Sequence, residues 1–204
     1  MGKAETSLLA CQHEASLAER RHLRRGDIIH HAGSVGRTWR VLSGSLRLDV
    51  PGDSGPVFAG LALRDDIIGV ETLTRERCAF TVSALSDCVL EPWSAYTSHH
   101  ELQHILARNA LRAAAMMEVR SGLSASRVRN LIRLLNSAAQ PDEADTPQAL
   151  PDQCAMAEIT GLTHETVCRV IAQMRKDGEL KRASSGKKQF IVQLRTDGAP
   201  AVTC

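Results

Sequence analysis

The 204-residue sequence has no apolar run long enough to cross a bilayer, and its opening stretch, MGKAETSLLACQHEASLAERRHLRR, lacks the sustained apolar segment and cleavage site of a secretory leader. A cytoplasmic location is expected. No C-x-x-C pair occurs. The six cysteines, at 11, 78, 88, 154, 168 and 204, suggest neither a zinc ribbon nor a disulfide framework, so they are read as free thiols and no metal-ligand set is assigned. Charge of one sign is not in excess, with 25 Lys and Arg against 23 Asp and Glu and a net charge of +2, so any electrostatic role must come from a local patch. No internal repeat or low-complexity tract is visible. The length allows one large or two small domains with real cores, and two changes of texture along the chain favour two.

Residues 23 to 92 carry short alternating runs punctuated by Gly26, Gly33, Gly36, Gly44, Gly52, Gly55, Gly60 and Gly69. The runs predict β-strands: Leu46, Leu48 and Val50 on one side of one strand, Val57, Ala59, Leu61 and Leu63 of another, Phe80, Val82 and Ala84 of a third. A small β-roll or barrel with tight turns follows. From Trp93 the composition turns helical. Ser98 can cap a helix carrying Leu102, Ile105, Leu106, Ala110, Ala113, Met116 and Met117, which ends near Ser121-Gly122. Its apolar surface exceeds what a connector needs. The excess predicts a dimer helix in which Leu102, Leu106, Ala113, Met116 and Met117 meet the same helix of a second copy. SASRVRNLIRLLNSAAQ predicts another capped helix, and PDEADTPQALPD a Pro- and Asp-rich loop.

The segment ITGLTHETVCRVIAQMRKDGEL, 159 to 180, follows. Val167, Val170, Ile171 and Met174 form one apolar stripe at helical spacing, while Glu165 and Arg169 project almost opposite, with Cys168 on the flank. Thr163 is the expected N-cap and Gly178 the stop, for a helix from about His164 to about Asp177. Behind Asp152, a shorter pattern in Ala155, Met156 and Ile159 and the turn Thr160-Gly161-Leu162 complete a helix-turn-helix. From Arg169 to Arg195 eight basic residues face only Asp177 and Glu179. KRASSGKKQFIVQL predicts a β-hairpin with Ser-Ser-Gly at its turn, a basic wing that sets Lys187 and Lys188 beside nucleic acid.

A glycine-punctuated β-roll, a long helix and a winged helix-turn-helix, in that order, resemble the CRP/FNR superfamily of bacterial transcription regulators. The resemblance covers nearly the whole chain and rests on RRGDIIHHAG, VLSGSLRL, DDIIGVETL and GLTHETVCRVIAQMRKDGEL. It implies an α+β chain with a cyclic-nucleotide-binding-like β-roll at 1–97, a dimerisation helix at 98–122 and a DNA-binding winged helix-turn-helix at 123–204. The function implied is that of a homodimeric regulator bound to an inverted repeat in double-stranded DNA, with half-sites like TTGA or TGTGA, and touching RNA polymerase where it activates. The last motif is similar to the family's Ser-Arg-Glu-Thr-Val-Ser-Arg pattern, with His164 where arginine is usual. Base reading would fall to Glu165 and Arg169, within a DNA face of Thr163, His164, Glu165, Thr166, Cys168 and Arg169. A carboxylate accepts from cytosine N4 and a guanidinium bonds guanine O6 and N7 together, which is the chemistry such roles require.

In the sensor half, Gly69 and Glu71 are split by Val70, and Cys78-Ala79 stand where the nucleotide-binding members carry Arg-Ser, so cAMP is not expected. Gly69, Glu71, Arg77 and Cys78 are the candidate effector pocket. An iron-sulfur cluster is not expected either, the N-terminal stretch offering only Cys11. Haem through His30, His31 or Cys78 stays open, a lone histidine being more often a surface or packing residue. The effector is therefore unknown, as in FixK-like members, and Cys168 is a candidate redox switch: its helix dipole and the neighbouring Arg169 favour thiolate. Equally, it can stand in for a small serine. From another class, HELQH at 100–104 matches the zinc-protease pattern H-E-x-x-H, but 110 is Ala110 and 107 is Ala107 where the extended motif needs His and Gly. Chance occurrence in a helix is the better account, and no enzyme is expected.

Overall fold

The computed structural model describes residues 20–94, 98–137, 148–182 and 189–192. The chain divides into two compact units, Met1–Met117 and Glu118–Cys204. In the first, eight strands, β1 (Arg21–Leu23), β2 (Ile28–His30), β3 (Trp39–Ser43), β4 (Leu46–Gly52), β5 (Gly55–Ala62), β6 (Ile67–Ile68), β7 (Thr81–Ala84) and β8 (Cys88–Pro92), form two antiparallel sheets. Their orders are β1-β8-β3-β6 and β2-β7-β4-β5. Leu23, Trp39, Val41, Leu46, Ala62, Ile68, Val82, Ala84 and Leu90 fill the space between. The turn joining β3 to β4 needs Gly44, whose φ is +89° and where an added Cβ would lie 2.3 Å from the Asp87 carbonyl oxygen.

One strand departs from its expected alternation. Leu48 pairs with Gly60 but Asp49 pairs with Phe58, which leaves Ala59 as an extra residue, a β-bulge. A one-residue insertion exchanges the two faces of the strand before it. Val57 is therefore exposed and Phe58 buried, and Ala59 too is exposed, whereas Leu61 and Leu63 are buried as expected. Phe58 thereby pairs with the buried Asp49, to both of whose oxygens Arg47 Nε donates at 2.8 and 2.9 Å.

After the short helix α1 (Thr72–Arg75), helix α2 runs His99–Arg120. Ser98 Oγ accepts the Glu101 amide at 3.2 Å, as its sequence position predicts. One side of α2 is tied to the roll by polar contacts: Arg40 to Glu101, Arg108 to Asp65 at 3.4 Å and Arg112 to Asp66 at 2.8 Å. Leu106, Leu111 and Met117 remain about 70% exposed (69, 72 and 70%) and Leu102 39%. No helix of the described residues is long and apolar enough to cross a membrane.

In the second unit, α3 (Ser124–Asn136), α4 (Gln153–Thr160) and α5 (His164–Lys176) bury Val128, Leu131, Ile132, Met156, Ile159, Val167, Ile171 and Met174. Helix α3 lacks the expected side-chain cap: its N-cap position is Leu123, which places Ser124 already inside the helix. A two-residue strand, β9 (Gln148–Ala149), sits at the end of the stretch read as loop. Strands β10 (Leu180–Arg182) and β11 (Gln189–Val192) pair antiparallel, as the hairpin reading requires, and β11 also pairs with β9. The hairpin's turn lies outside the described residues.

Arg129 of α3 grips Glu179, which precedes β10, through two hydrogen bonds of 2.8 and 2.7 Å. These bonds, foremost, hold the Glu179 carboxyl below its ordinary 4.5. A depressed carboxyl stabilises the fold above its unfolded value and loses that contribution as pH falls through the folded one. Urea unfolding at a series of pH values below 4.5 should show wild type losing about 1 to 2 kcal/mol that Glu179→Gln never had. Parallel acid limbs for the two proteins would remove the ion pair from the stability of this unit.

Candidate functional site

Helix α5 and its partner α4 follow local signals closely. Asp152 Oδ1 accepts from the Ala155 amide at 2.8 Å and starts α4; Gly161, at φ +65°, ends it. Thr163 Oγ1 accepts from the Thr166 amide at 3.3 Å and starts α5 two residues later. Val167, Ile171 and Met174 are buried and Val170 half-buried, so the stripe faces the unit's core. Thr163, His164, Glu165 and Arg169 are exposed, Glu165 and Arg169 on the side opposite the stripe, and Thr166 and Cys168 are half-buried. Among the described residues, Glu165 and Arg169 have no hydrogen-bond or ion-pair partner. The outward face thus presents an unpaired acceptor and an unpaired guanidinium one helical turn apart. Cys168 Sγ donates to Gln153 Oε1 at 2.9 Å and lies 3.6 Å from the His164 ring nitrogens. Lys187 and Lys188 lie outside the described residues.

The four residues proposed as an effector pocket do different things. Gly69 is structural: its φ is +76°, and a Cβ there would lie 2.6 Å from the Arg37 carbonyl oxygen. Arg77 donates to the Gly33 carbonyl at 2.7 Å. Glu71 and Cys78 do converge, and the residue they meet is His30. His30 is 7% exposed and, among the described residues, neither ring nitrogen is hydrogen-bonded, an arrangement that costs about 1 to 3 kcal/mol per orphaned group. Burial pushes its pKa down and pushes that of the 3%-exposed Cys78 thiol up. Cys88, also buried, is pushed up to about 11. Cys154 is exposed.

A separate cavity of about 380 Å³ lies in the first unit between strand residues Leu48, Leu61 and Ile68 and α2 residues Asn109, Arg112 and Met116. Asp66 lines it; its Oδ2 accepts from Arg112 and from the Leu63 amide, both at 2.8 Å, while its buried Oδ1 has no partner among the described residues. Sequence reading missed this pair. The available signal was the Asp65-Asp66 doublet ahead of Ile67-Ile68, matched by Arg108 and Arg112 one turn apart on α2. The HELQH pattern assembles no such site. Glu101 is held by Arg40, and although His100 and His104 approach to 3.2 Å, no third His, Cys or carboxylate group closes on them among the described residues.

No family model matches the chain, and no curated protein does. Solved structures do. A CRP-family transcriptional regulator from Thermus thermophilus superposes with TM-score 0.65 at 19% identity, over 85% of this chain and 91% of that one. FixK2 from Bradyrhizobium japonicum gives 0.66 at 18% identity, over 87% and 93%. The chain has the fold of the CRP/FNR-type regulators. The c-di-GMP-responsive global regulator CLP of Xanthomonas campestris is also similar, with TM-score 0.57 and 17% identity over 90% of this chain and 98% of that one.

Proposed function

We propose that this chain is a sequence-specific DNA-binding transcription regulator that grips an inverted repeat as a homodimer. The observation that carries the proposal is the Glu165 and Arg169 pair on α5, exposed and without partners among the described residues, set by the Thr163 cap and backed by a buried apolar stripe. In this reading residues 123–204 act as a winged helix-turn-helix, with α5 in the major groove and the β10–β11 hairpin as the wing, while 98–122 supply the dimer helix and 1–97 the sensor. Structural likeness to regulators of transcription supports it, and nothing in the HELQH segment supports the protease alternative. An effector in the cavity between the roll and α2 would touch the proposed dimer helix directly, and so bias the spacing of the two recognition helices. RNA polymerase is the further partner if the protein activates.

The test is affinity, by fluorescence anisotropy, for genomic fragments against random duplexes of equal length at one salt concentration. At least one fragment should bind on the order of a thousandfold more tightly than random DNA. Equal affinity for every fragment would leave only nonspecific binding.

Redox modulation through Cys168 belongs to the same proposal. The thiol sits on the flank of the DNA face and holds Gln153 at 2.9 Å. Oxidation to sulfinate replaces that donor with an anion facing both the Gln153 oxygen and the DNA phosphates. Graded peroxide treatment should therefore abolish operator binding by wild type and spare Cys168→Ser. Equal loss in the two proteins would move the switch elsewhere or remove it.

A further inference from the structure

The geometry points to a transition-metal site for a single divalent ion, made by His30, Glu71 and Cys78 inside the first unit. The ligand atoms of these three side chains all lie within 4.8 Å of one another. The residues come from three separate places: His30 ends β2, Glu71 precedes α1 and Cys78 precedes β7. They supply nitrogen, oxygen and sulfur, a set suited to zinc, cobalt or ferrous iron, with a fourth position for water or an effector group.

Independent observations point to a ligand there. His30 is over nine-tenths buried, yet among the described residues neither of its ring nitrogens has a hydrogen-bond partner. Buried imidazoles ordinarily satisfy at least one nitrogen, so an unmet donor beside a buried thiol and a carboxylate marks a place where something else completes the bonding. Gly36 keeps the space open. A Cβ at that position would fall 2.3 Å from Cys78 Sγ and 3.8 Å from His30 Nδ1. Glu71 is pre-positioned, since its Oε1 accepts the Ala79 amide at 3.1 Å.

The charges also balance. On binding, the Cys78 thiol loses its proton to solvent as the sulfur–metal bond forms, the neutral imidazole gives a lone pair, and thiolate plus carboxylate offset the two positive charges. A tetrahedral ion with bonds of about 2.0 to 2.3 Å sets its ligand atoms roughly 3.5 Å apart, so small side-chain rotations close the site. A porphyrin would require the segments bearing Gly36, His30 and Cys78 to part. Binding would clamp β2, α1 and the approach to β7 together, independently of any DNA.

The experiment adds cobalt(II) to chelator-stripped full-length protein without DNA and follows absorbance. The expected result is one ion per chain, with near-ultraviolet thiolate-to-cobalt charge transfer and visible bands of a four-coordinate ion, displaced by zinc. Cys78→Ser should lose the charge-transfer band, while Cys88→Ser and His100→Ala should keep it. Glu71→Gln retains an oxygen for the Ala79 amide and so keeps the fold. It should bind cobalt at least about tenfold more weakly with its charge-transfer band intact. No uptake by wild type, a band that survives Cys78→Ser, or unaltered affinity in Glu71→Gln would each overturn the site.

Discussion

Replacing Leu106 and Met117 together by glutamate is expected to turn a dimer into a monomer and to weaken binding to an inverted repeat by roughly 10² to 10⁴-fold. The two side chains are 69% and 70% exposed, which is costly for large apolar groups on a long helix unless a partner covers them. At 100° per residue, Leu102, Leu106, Ala113 and Met117 fall within about 60° of one another. The side tied to the roll by Glu101, Arg108 and Arg112 lies about 120° away, so the stripe is not occupied by the contacts that hold α2. Ala113 and Met116 also line the cavity against the roll, Met116 half-buried there, so the outward part of the stripe is Leu102, Leu106 and Met117. Sedimentation would read the oligomeric state and anisotropy the affinity. A double variant that stays dimeric, or a monomer that binds the full site as tightly as wild type, would place the dimer contact on another surface.

Arg169→Ala should cost about 1 to 3 kcal/mol, or roughly 5- to 150-fold, and should relax preference at one base pair per half-site. The guanidinium is exposed near the start of α5, with no protein group to share it among the described residues. A donor fork so placed can meet guanine O6 and N7 together, and its loss leaves the base unread rather than the protein unfolded. Lys187→Ala and Lys188→Ala should behave otherwise, weakening all sequences alike and reducing the salt slope by about 1 each. Affinities of each variant for operator and random duplex separate the cases. If Arg169→Ala lowers both equally, its contact is with phosphate.

Helices α4 and α5 were legible because their signals are local: Asp152 and Thr163 each cap within three residues, and Gly161 and Gly178 take the positive φ that their positions in the sequence predict. The β-roll was legible in outline from its alternation and glycines. Its interior face was not, because the bulge at Ala59 depends on how β4 and β5 pair, and no period within β5 reveals it. Strand β9 has two residues in a Pro-rich stretch, too few to show alternation. The meeting of His30, Glu71 and Cys78 is a product of tertiary folding, as is the Asp66–Arg112 pair at the cavity. Side chains far apart in the chain carry no spacing to read: only the family resemblance grouped Glu71 with Cys78, and His30 entered solely as a candidate haem ligand.

Selection of bound sites by the full chain from random duplex DNA tests the proposed function most directly. The expected product is a two-fold symmetric motif whose half-site centres lie one helical turn, about 10 to 10.5 base pairs, apart, with a base preference that changes under Arg169→Ala. Recovery of a motif without two-fold symmetry, or of no motif at all, would contradict it.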